Sequence, residues 1–468
     1  YSDEDKVDEA NNRYAPYFKP AWNRELFYSQ NYINHLTVIR RAVIDQVGGW
    51  RTGFDGSQDY DLLLRVIEHT ADDQIIHIPL ILYHWRAIEG SAAIEIGTKS
   101  DAADAGEQAL AEHFERLGQK VTIEPGAADY GLDGYYRVRH ALPAKPPRVS
   151  LIVPTKDQLK LTKGCIDGLI ERTDYPDMEI LLVDNNSEKP ETLAYFDSIK
   201  DHPLVTLLRY QQPFNFSAIN NYAAERASGQ VIGLLNNDTE VIEPDWLTEM
   251  VSHAIRPDVG CVGAKLYYEN DQVQHAGVII GLGGVAGHSH KYYPRTSPGY
   301  FGRLVLTQDL TAVTAACLLL RKSVYDEVGG LDEGLVVAFN DVDFCLRVRE
   351  AGYRNIYTPY AALYHLESIS RGHEDTPAKL KRFQSEMAYL KNRWGAQLLT
   401  DCAYSPNLTL DTENFALANP PRSFRPWAET QWPGSATRIA RQNVPPKQAA
   451  DYAMGLAAEN KQPAKAAG

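Results

Sequence analysis

The sequence predicts an α/β fold, built around a mixed and mostly parallel sheet, with part of a second module of the same kind in front of it. The first observation is that short apolar segments alternate with helical segments between residues 148 and 400. Alternation of this kind is typical of parallel sheets whose strands are joined by crossover helices.

The second observation is an internal repeat. RRAVIDQVGG (40–49) returns 281 residues later as RKSVYDEVGG, and Tyr83-His84 returns at the same distance as Tyr364-His365. DYDLLLRV (59–66) matches DVDFCLRV (341–348) in the same order. A repeat on this scale indicates two copies of one half-domain.

We therefore divide the chain into four parts. Residues 1–98 are predicted to be a partial module, and residues 99–147 a helix that stops at Gly118 followed by a Pro-rich connector, HALPAKPPR. Residues 148–400 form the complete domain. Residues 401–468 are a C-terminal extension, expected to be weakly ordered from about residue 411, where Pro, Ala, Asn and Gln dominate.

Composition excludes several classes of protein. The net charge of −14 argues against a general nucleic-acid binder, which would present a basic face. The five cysteines are scattered without C-x-x-C spacing, which favours reduced thiols and a cytoplasmic location. No apolar run approaches 18 residues. The chain begins at Tyr1 without a methionine, which is consistent with a fragment or a processed chain.

The elements of the complete domain follow in order. Strands are predicted at RVSLIVPT, MEILLVDNNS, VTLLRY and QVIGLLNNDTEV, with helices at 157–172, near 190–200 and in FNFSAINNYAAERASG between them. A helix near 245–255 precedes a strand in GCVGAKLYY. Residues 270–310 are expected to be a long loop or hairpin region. TAACLLLRKSVYDEVGG is predicted as strand then helix, FNDVDFCLRVREAG as a helix closed by Gly352, NIYTPYAALYH as a strand, and 376–394 as a helix.

Polar residues follow two of these strands. The apolar strand 231–235 runs into Asn236, Asn237 and Asp238, and Asp184 ends the second strand. The carboxyl ends of parallel strands are where open α/β sheets bind ligands, although Asn and Asp also favour plain turns. Together with Asp341 and His365, Asp238 would suit a metal–diphosphate site with a general base.

LLNNDTEV, FNDVDFCLRVREAGYR and LYH resemble the inverting family 2 glycosyltransferases of the GT-A fold, and most of all the bacterial branch that builds O-antigen and other surface polysaccharides, including rhamnosyltransferases. The resemblance covers residues 148 to about 400. It implies transfer from a nucleotide-diphospho-sugar, carrying uridine or thymidine, to a saccharide or lipid-linked saccharide. It also implies a Mn²⁺ or Mg²⁺ cofactor and allows peripheral contact with the cytoplasmic face of the inner membrane.

The resemblance also implies residue roles. Asp341 matches the general base, and Asp238 with His365 would hold the metal. Donor binding is assigned to a set at the strand ends and on the helix before strand four: Pro154, Thr155, Asp157, Asp184, Asn220, Asn221, Asn236 and Asn237. Two positions depart from the family pattern, because Asn236 replaces the first Asp of D-x-D and Asn340 replaces a Glu.

The first module carries equivalents of part of this set. Asp3 and Asp5 are expected in an acidic turn, Asp59 corresponds to the base, and His84 corresponds to the metal ligand. Because the module lacks counterparts of residues 148–235, we predict that these residues are chemically inert.

Weaker motifs leave alternatives open. Residues 281–286 fit G-x-G-x-x-A formally, but no helix is expected to follow, which argues against a dinucleotide site. His288 and His290 could bind a metal or belong to a loop near the acceptor. Tyr292, Tyr293, Tyr300 and Phe301 could stack on sugars or simply pack. A non-catalytic carbohydrate-binding or scaffold protein is the main rival, whereas a nucleotidyltransferase would need a Gly-rich phosphate loop that VPTKDQ does not supply.

Overall fold

The computed structural model describes residues 1–87, 100–366 and 376–423. The first part contains a small three-stranded sheet and three α-helices: β1 (Ser2–Val7), β2 (Arg13–Tyr17), α1 (Arg24–Ser29), α2 (Arg41–Val47), α3 (Gln58–Ile67) and β3 (Ile78–Arg86). The strand order is β2-β1-β3, with β1 antiparallel to β2 and parallel to β3. Asp3 and Asp5 therefore lie in a strand, and the prediction of an acidic turn is wrong. Pairing with β3, which places Asp5 opposite His84, outweighs the local turn preference of the acidic residues.

The connector contains more structure than predicted. Helix α4 (Ser100–Arg116) is followed by an antiparallel hairpin of β4 (Val121–Pro125) and β5 (Tyr136–His140). Gly118 adopts a φ of 66° just after the helix, as expected for a glycine stop. Leu110 and Phe114 are buried, so the helix packs into the body of the protein.

The complete domain begins with alternating strands and helices: β6 (Val149–Thr155), α5 (Leu159–Arg172), β7 (Met178–Asp184), α6 (Pro190–Ile199), β8 (Val205–Arg209), α7 (Phe216–Ala224), β9 (Val231–Leu235), β10 (Thr239–Val241), α8 (Trp246–Ala254) and β11 (Val259–Tyr267). It continues with β12 (Val273–His275), β13 (Val278–Ile280), β14 (Ala286–His288), β15 (Gln308–Leu310), β16 (Cys317–Arg321), α9 (Lys322–Glu327), α10 (Asn340–Glu350), β17 (Arg354–His365) and α11 (Pro377–Trp394).

The central sheet has the order β10-β17-β11-β16-β9-β6-β7-β8, with β12 attached to β11 and β15 attached to β17. Strands β6, β7, β8 and β9 are parallel, and β16 runs antiparallel between β9 and β11. The predicted mixed α/β sheet is confirmed. Strands β7 and β9 are buried along their whole length because both faces of the sheet are covered.

The predicted hairpin region between residues 270 and 310 is present as β12 to β15. The G-x-G-x-x-A segment forms the turn of the β13–β14 hairpin, so no helix follows it. Tyr300 is buried and Phe301 stacks on Tyr17 with ring centroids 3.8 Å apart, so these two aromatics serve packing. Tyr292 remains exposed.

The internal repeat extends to side-chain contacts. Arg65 pairs with the buried Asp61 and donates to the Val47 carbonyl at 2.6 Å; Arg347 pairs with the buried Asp343 and donates to the Val328 carbonyl, also at 2.6 Å. The glycine pairs that follow α2 and α9 have similar backbone angles. The φ values are 82° and 69° after α2, and 78° and 69° after α9. The residues that the sequence repeat aligns therefore make similar contacts.

The C-terminal extension is folded over residues 401–423, which differs from the expectation for residues 411–423. Phe415 is buried and stacks on Tyr300, and Asn407 donates to Asp3 at 3.1 Å. An aromatic anchor in a polar segment explains the difference. The rest of the extension, residues 424–468, lies outside the described residues.

Within the three described ranges, none of the helices combines the length and apolar character needed to cross a lipid bilayer.

Candidate active site

The site centres on Asp238, which follows the carboxyl end of β9. The short strand β10 pairs antiparallel with β17 and sets Thr239 opposite His365. This register brings Asp238 Oδ1 within 3.1 Å of His365 Nε2, and both side chains are buried. The structure thus brings together the two residues predicted to hold a metal.

Gln274 orients the His365 ring. The His365 Nδ1–H donates to Gln274 Oε1 at 2.5 Å, and Gln274 Nε2 donates to the His365 carbonyl at 3.2 Å. The second bond fixes which end of the amide faces the ring, so the ring proton sits on Nδ1. His365 therefore presents the Nε2 lone pair to Asp238. No spacing in the sequence marked Gln274, which reaches the site through the hairpin region.

The spacing of this pair fits a divalent cation. Two ligand atoms each about 2.1 Å from one ion, and at right angles, are about 3 Å apart, close to the distance seen here. An imidazole lone pair and a carboxylate oxygen repel each other at this distance unless a proton or a cation lies between them. An oxygen and an imidazole nitrogen suit Mn²⁺, and the carboxylate alone also suits Mg²⁺.

The two asparagines before Asp238 serve different purposes. Asn236 Nδ2 donates to His365 Nε2 at 3.1 Å, so Asn236 contacts the cation pair, which is Asp238 and His365. Asn237 Nδ2 donates to Thr155 Oγ1 at 3.1 Å and Thr162 Oγ1 at 3.0 Å. Asn237 therefore braces the end of β6, and its donors are not available to a nucleotide.

Asp184 lies at the neighbouring strand end, where β7 sets it opposite Thr155 of β6. Its Oδ1 accepts the Ser187 amide at 3.0 Å, and its Oδ2 is paired with Arg209. A carboxylate has about four lone-pair positions, so these partners leave capacity for a ligand hydroxyl. Arg209, at the end of β8, was not expected in this site. Pro154 lies beside Thr155 on β6 and is partly exposed.

Three residues predicted to bind the donor are committed to the protein itself. Asp157 Oδ1 accepts the amides of Glu188 and Lys189 at 3.0 and 2.9 Å, and so caps the start of α6. Asn220 is fully buried and donates to the Phe216 carbonyl of its own helix at 2.8 Å.

Asn221 uses its whole hydrogen-bonding capacity on one loop. Its Nδ2 donates to the Leu331 carbonyl and to Glu333, and its Oδ1 accepts from Tyr325 and from the Leu331 amide. Two donors and two lone pairs are all that an Asn side chain offers. In the structure, the Asn221 side chain ties α7 to the segment after α9.

Asp341 lies in the first turn of α10. Its Oδ2 accepts the Ala315 amide at 3.2 Å. Burial raises the pKa of Asp341 above its usual value, and the hydrogen bonds from the Ala315 amide and the Thr314 side chain offset the rise only in part. Among the residues described, no lysine or arginine forms an ion pair with it. A carboxylate of this kind is suited to accept a proton.

Asp343, two residues further on, has the opposite environment. It is fully buried, pairs with Arg347 at 2.8 Å and Arg393 at 3.3 Å, and accepts from the Trp394 indole at 2.9 Å. This carboxylate anchors α10 and does not take part in the site. The contrast singles out Asp341 as the reactive carboxylate of the helix.

One loop links Asp341 to the cation pair. The Ala315 amide binds Asp341, and the adjacent Thr314 amide donates to His275 Nε2 at 3.4 Å. His275 follows Gln274, the residue that orients His365. His275 Nδ1 lies 2.8 Å from His288 Nδ1, whereas His290 bonds Ser289 and the Tyr300 amide, so His288 and His290 are not a pair.

The residues of the first module are paired within the protein. Asp5 binds His84 at 2.5 Å and Arg13 at 2.6 Å, and Asp3 binds His77 at 2.8 Å. Asp59 accepts from Asn31 at 3.2 Å. Because a guanidinium already neutralises Asp5, this set is less suited to a cation than the pair in the complete domain.

A third cluster is also filled by cationic side chains. Glu25, His140 and His253 offer ligand atoms within 4.8 Å of one another. Arg256 donates to Glu25 at 2.6 Å and Arg354 donates to it at 3.0 Å. Two guanidinium groups at the carboxylate oppose a metal ion, so the cluster acts as an ion-pair network between α1 and α8.

Part of the chain is similar to a known protein family. Residues 150–329 match the family model described as glycosyl transferase family 2. An uncharacterised protein of Sinorhizobium fredii is 49% identical over 90% of this chain and 46% of its own length. The O-antigen biosynthesis protein RfbC of Myxococcus xanthus is 41% identical over 90% of this chain and 32% of its own length.

The chain thus spans less than half the length of these two relatives. Among solved structures, GalNAc-T7 with UDP, GalNAc and Mn²⁺ overlaps 57% of this chain and 51% of that chain, with a TM-score of 0.44 and 16% identity. The segment that matches glycosyl transferase family 2, residues 150–329, includes the strands and loops that carry Asp184 and Asp238.

Proposed function

We propose that this chain is a metal-dependent, inverting glycosyltransferase that moves a sugar from a nucleotide-diphospho-sugar to a saccharide acceptor. The observation that carries the proposal is the buried Asp238–His365 pair, 3.1 Å apart at the carboxyl edge of the sheet. A loop connects this pair to Asp341, a partly exposed carboxylate whose raised pKa suits a base.

Asp238 and His365 would hold Mn²⁺ or Mg²⁺, and such an ion supplies compensation for the negative charge of the departing diphosphate. Asp341 accepts the proton of the acceptor hydroxyl as that oxygen attacks the anomeric carbon. Attack from the side opposite the leaving group inverts the configuration, and the transition state has oxocarbenium character.

Asp184 is the best candidate for the nucleoside contact. Arg209 and the Ser187 amide hold its carboxylate at the strand end, next to Thr155 and Pro154. The remaining lone pairs of Asp184 can accept ribose hydroxyl or base N–H groups. In this proposal Asp157, Asn220, Asn221 and Asn237 support the strand ends and do not touch the donor.

The proposal for the acceptor rests on similarity to a relative. The Myxococcus xanthus relative is named for O-antigen biosynthesis, and we extend that role to this chain. A growing, lipid-linked surface polysaccharide would then be the acceptor and a UDP- or dTDP-sugar the donor. The enzyme would work in the cytoplasm, in peripheral contact with the inner membrane.

The test is nucleotide release from a panel of UDP- and dTDP-sugars with Mn²⁺, with and without a saccharide acceptor. We expect one donor to give release that depends on Mn²⁺ and is lost in Asp341→Asn. Asp326→Asn, which removes an exposed carboxylate, is the matched control. Sugar binding without nucleotide release from any donor would favour the rival function, a non-catalytic carbohydrate-binding protein.

A further inference from the structure

Two histidines outside the metal pair and the base have a hydrogen-bond pattern that fixes both of their tautomers. His275 Nε2 accepts the backbone amides of Gly277 at 3.3 Å and Thr314 at 3.4 Å. A ring nitrogen that accepts two N–H groups carries no proton, so the proton of His275 lies on Nδ1. This proton points at His288 Nδ1, 2.8 Å away.

His288 Nδ1 must therefore be the acceptor of this bond. A neutral imidazole that accepts at Nδ1 carries its proton on Nε2. A protonated His288 would have to donate at Nδ1, and His275 has no lone pair to receive it. Consistent with this, burial lowers the pKa of His288 to about 4. His288 is thus a neutral ring. Its Nε2–H is the last donor in a series of hydrogen bonds that runs from the Thr314 amide through His275.

The position of the pair is informative. Its inner end is bound to Thr314, whose neighbour Ala315 binds the base Asp341. His275 also follows Gln274, which orients His365. His288 is partly exposed, and within the described ranges no protein group bonds its Nε2.

We propose that the His288 Nε2–H donates a hydrogen bond to a hydroxyl oxygen of the transferred sugar in the bound nucleotide-sugar, and that His275 is the positioning residue that holds it there. The inference rests on the function proposed above. The sugar must lie between the diphosphate, which the cation pair binds, and the acceptor oxygen, which the base deprotonates. The histidine pair is connected to both. A pre-oriented neutral donor suits a sugar hydroxyl, which offers lone pairs without a charge.

Two substitutions separate the donor at Nε2 from the acceptor at Nδ1. His288→Asn keeps an oxygen near the Nδ1 position to receive the His275 proton but has no donor at the Nε2 position. His288→Gln places an amide N–H near the Nε2 position and gives up the Nδ1 acceptor. Because one neutral hydrogen bond is tested, we expect His288→Asn to weaken nucleotide-sugar binding about 3- to 10-fold. His288→Gln should retain more of the affinity than His288→Asn.

Binding is measured by calorimetry with Mn²⁺, using the nucleotide-sugar that wild type turns over and the nucleoside diphosphate of the same base. We expect His288→Asn to lose affinity for the nucleotide-sugar alone, with an unchanged Tm. Equal losses for both ligands would move the contact to the diphosphate and overturn the sugar assignment, and unchanged affinity for both would exclude a contact. If wild type binds neither ligand, the proposed function is wrong. If wild type binds both ligands and His288→Asn binds them equally well, only the role of His288 is wrong.

Discussion

Gln274 and His365 are joined by two hydrogen bonds of opposite direction, one from the ring Nδ1 to the amide oxygen and one from the amide nitrogen to the His365 carbonyl. Because Nδ1 is used in the first of these hydrogen bonds, only Nε2 of His365 can bind a cation beside Asp238. An outer partner that fixes the tautomer of a histidine ligand is a common device at metal sites.

The first prediction follows from that relationship. Gln274→Ala should lower Mn²⁺ affinity about 10- to 100-fold without removing a ligand, because the ring loses the partner that fixes its tautomer and its orientation. Gln272→Ala is the control, since the Gln272 side chain contacts only the nearby Asn270 in the hydrogen bonds described. The Mn²⁺ affinities of Gln274→Ala and Gln272→Ala are measured by calorimetric titration. Equal affinities would contradict the role of Gln274.

The second prediction concerns the ligands themselves. Asp238→Ala and His365→Ala should each weaken Mn²⁺-dependent donor binding, and a chelator should stop turnover, because the cation offsets the diphosphate charge. Donor affinity is compared with Mn²⁺ and with chelator. The same affinity under both conditions would show that the pair does not act through a metal.

The third prediction joins catalysis to stability at Asp341. Asp341→Asn should reduce turnover about 10²- to 10⁴-fold while donor affinity is kept, since only the base is lost. The same variant should unfold at a higher temperature than wild type at neutral pH. The pKa of Asp341 is raised in the folded protein, so the folded state binds this proton more tightly than the unfolded state, and ionisation costs stability as pH rises through the folded pKa.

Thermal unfolding at two pH values measures the effect. The stabilisation by Asp341→Asn should shrink as pH falls towards the ordinary Asp value, where wild type also carries the proton. The turnover of wild type should fall over the same acidic range, as the base becomes protonated. A variant that is less stable than wild type at every pH would show that the carboxylate is not penalised by burial.

The sequence predicts the strand ends of this fold well, because apolar runs stop abruptly at polar residues there. Asp184, Asp238 and His365 were predicted as site residues on this basis. Gln274 and Arg209 were missed because they reach the site through pairing of distant segments, which leaves no local pattern. The contacts of Asn221 with the segment after α9 were not predicted, because a polar residue on a helix gives the same sequence pattern whether it faces a ligand or a loop. The acidic segment at the start of the chain was read as a turn because its pairing with β3 is likewise non-local.

The last prediction is that the first module does not contribute to turnover. Its cation-site equivalent, Asp5, is bound by Arg13 and His84, and its base equivalent, Asp59, bonds Asn31. A guanidinium at Asp5 occupies the position that a cation would need, and no strands equivalent to β6 and β7 stand beside β1 among the described residues to hold a nucleoside. Asp59→Asn should therefore leave turnover unchanged.

A more sensitive measurement compares Asp341→Asn with the double variant Asp341→Asn, Asp59→Asn. We expect the same residual nucleotide release from both, because nothing remains for Asp59 to activate. Residual release that disappears only in the double variant would show that the first module is an active site in its own right.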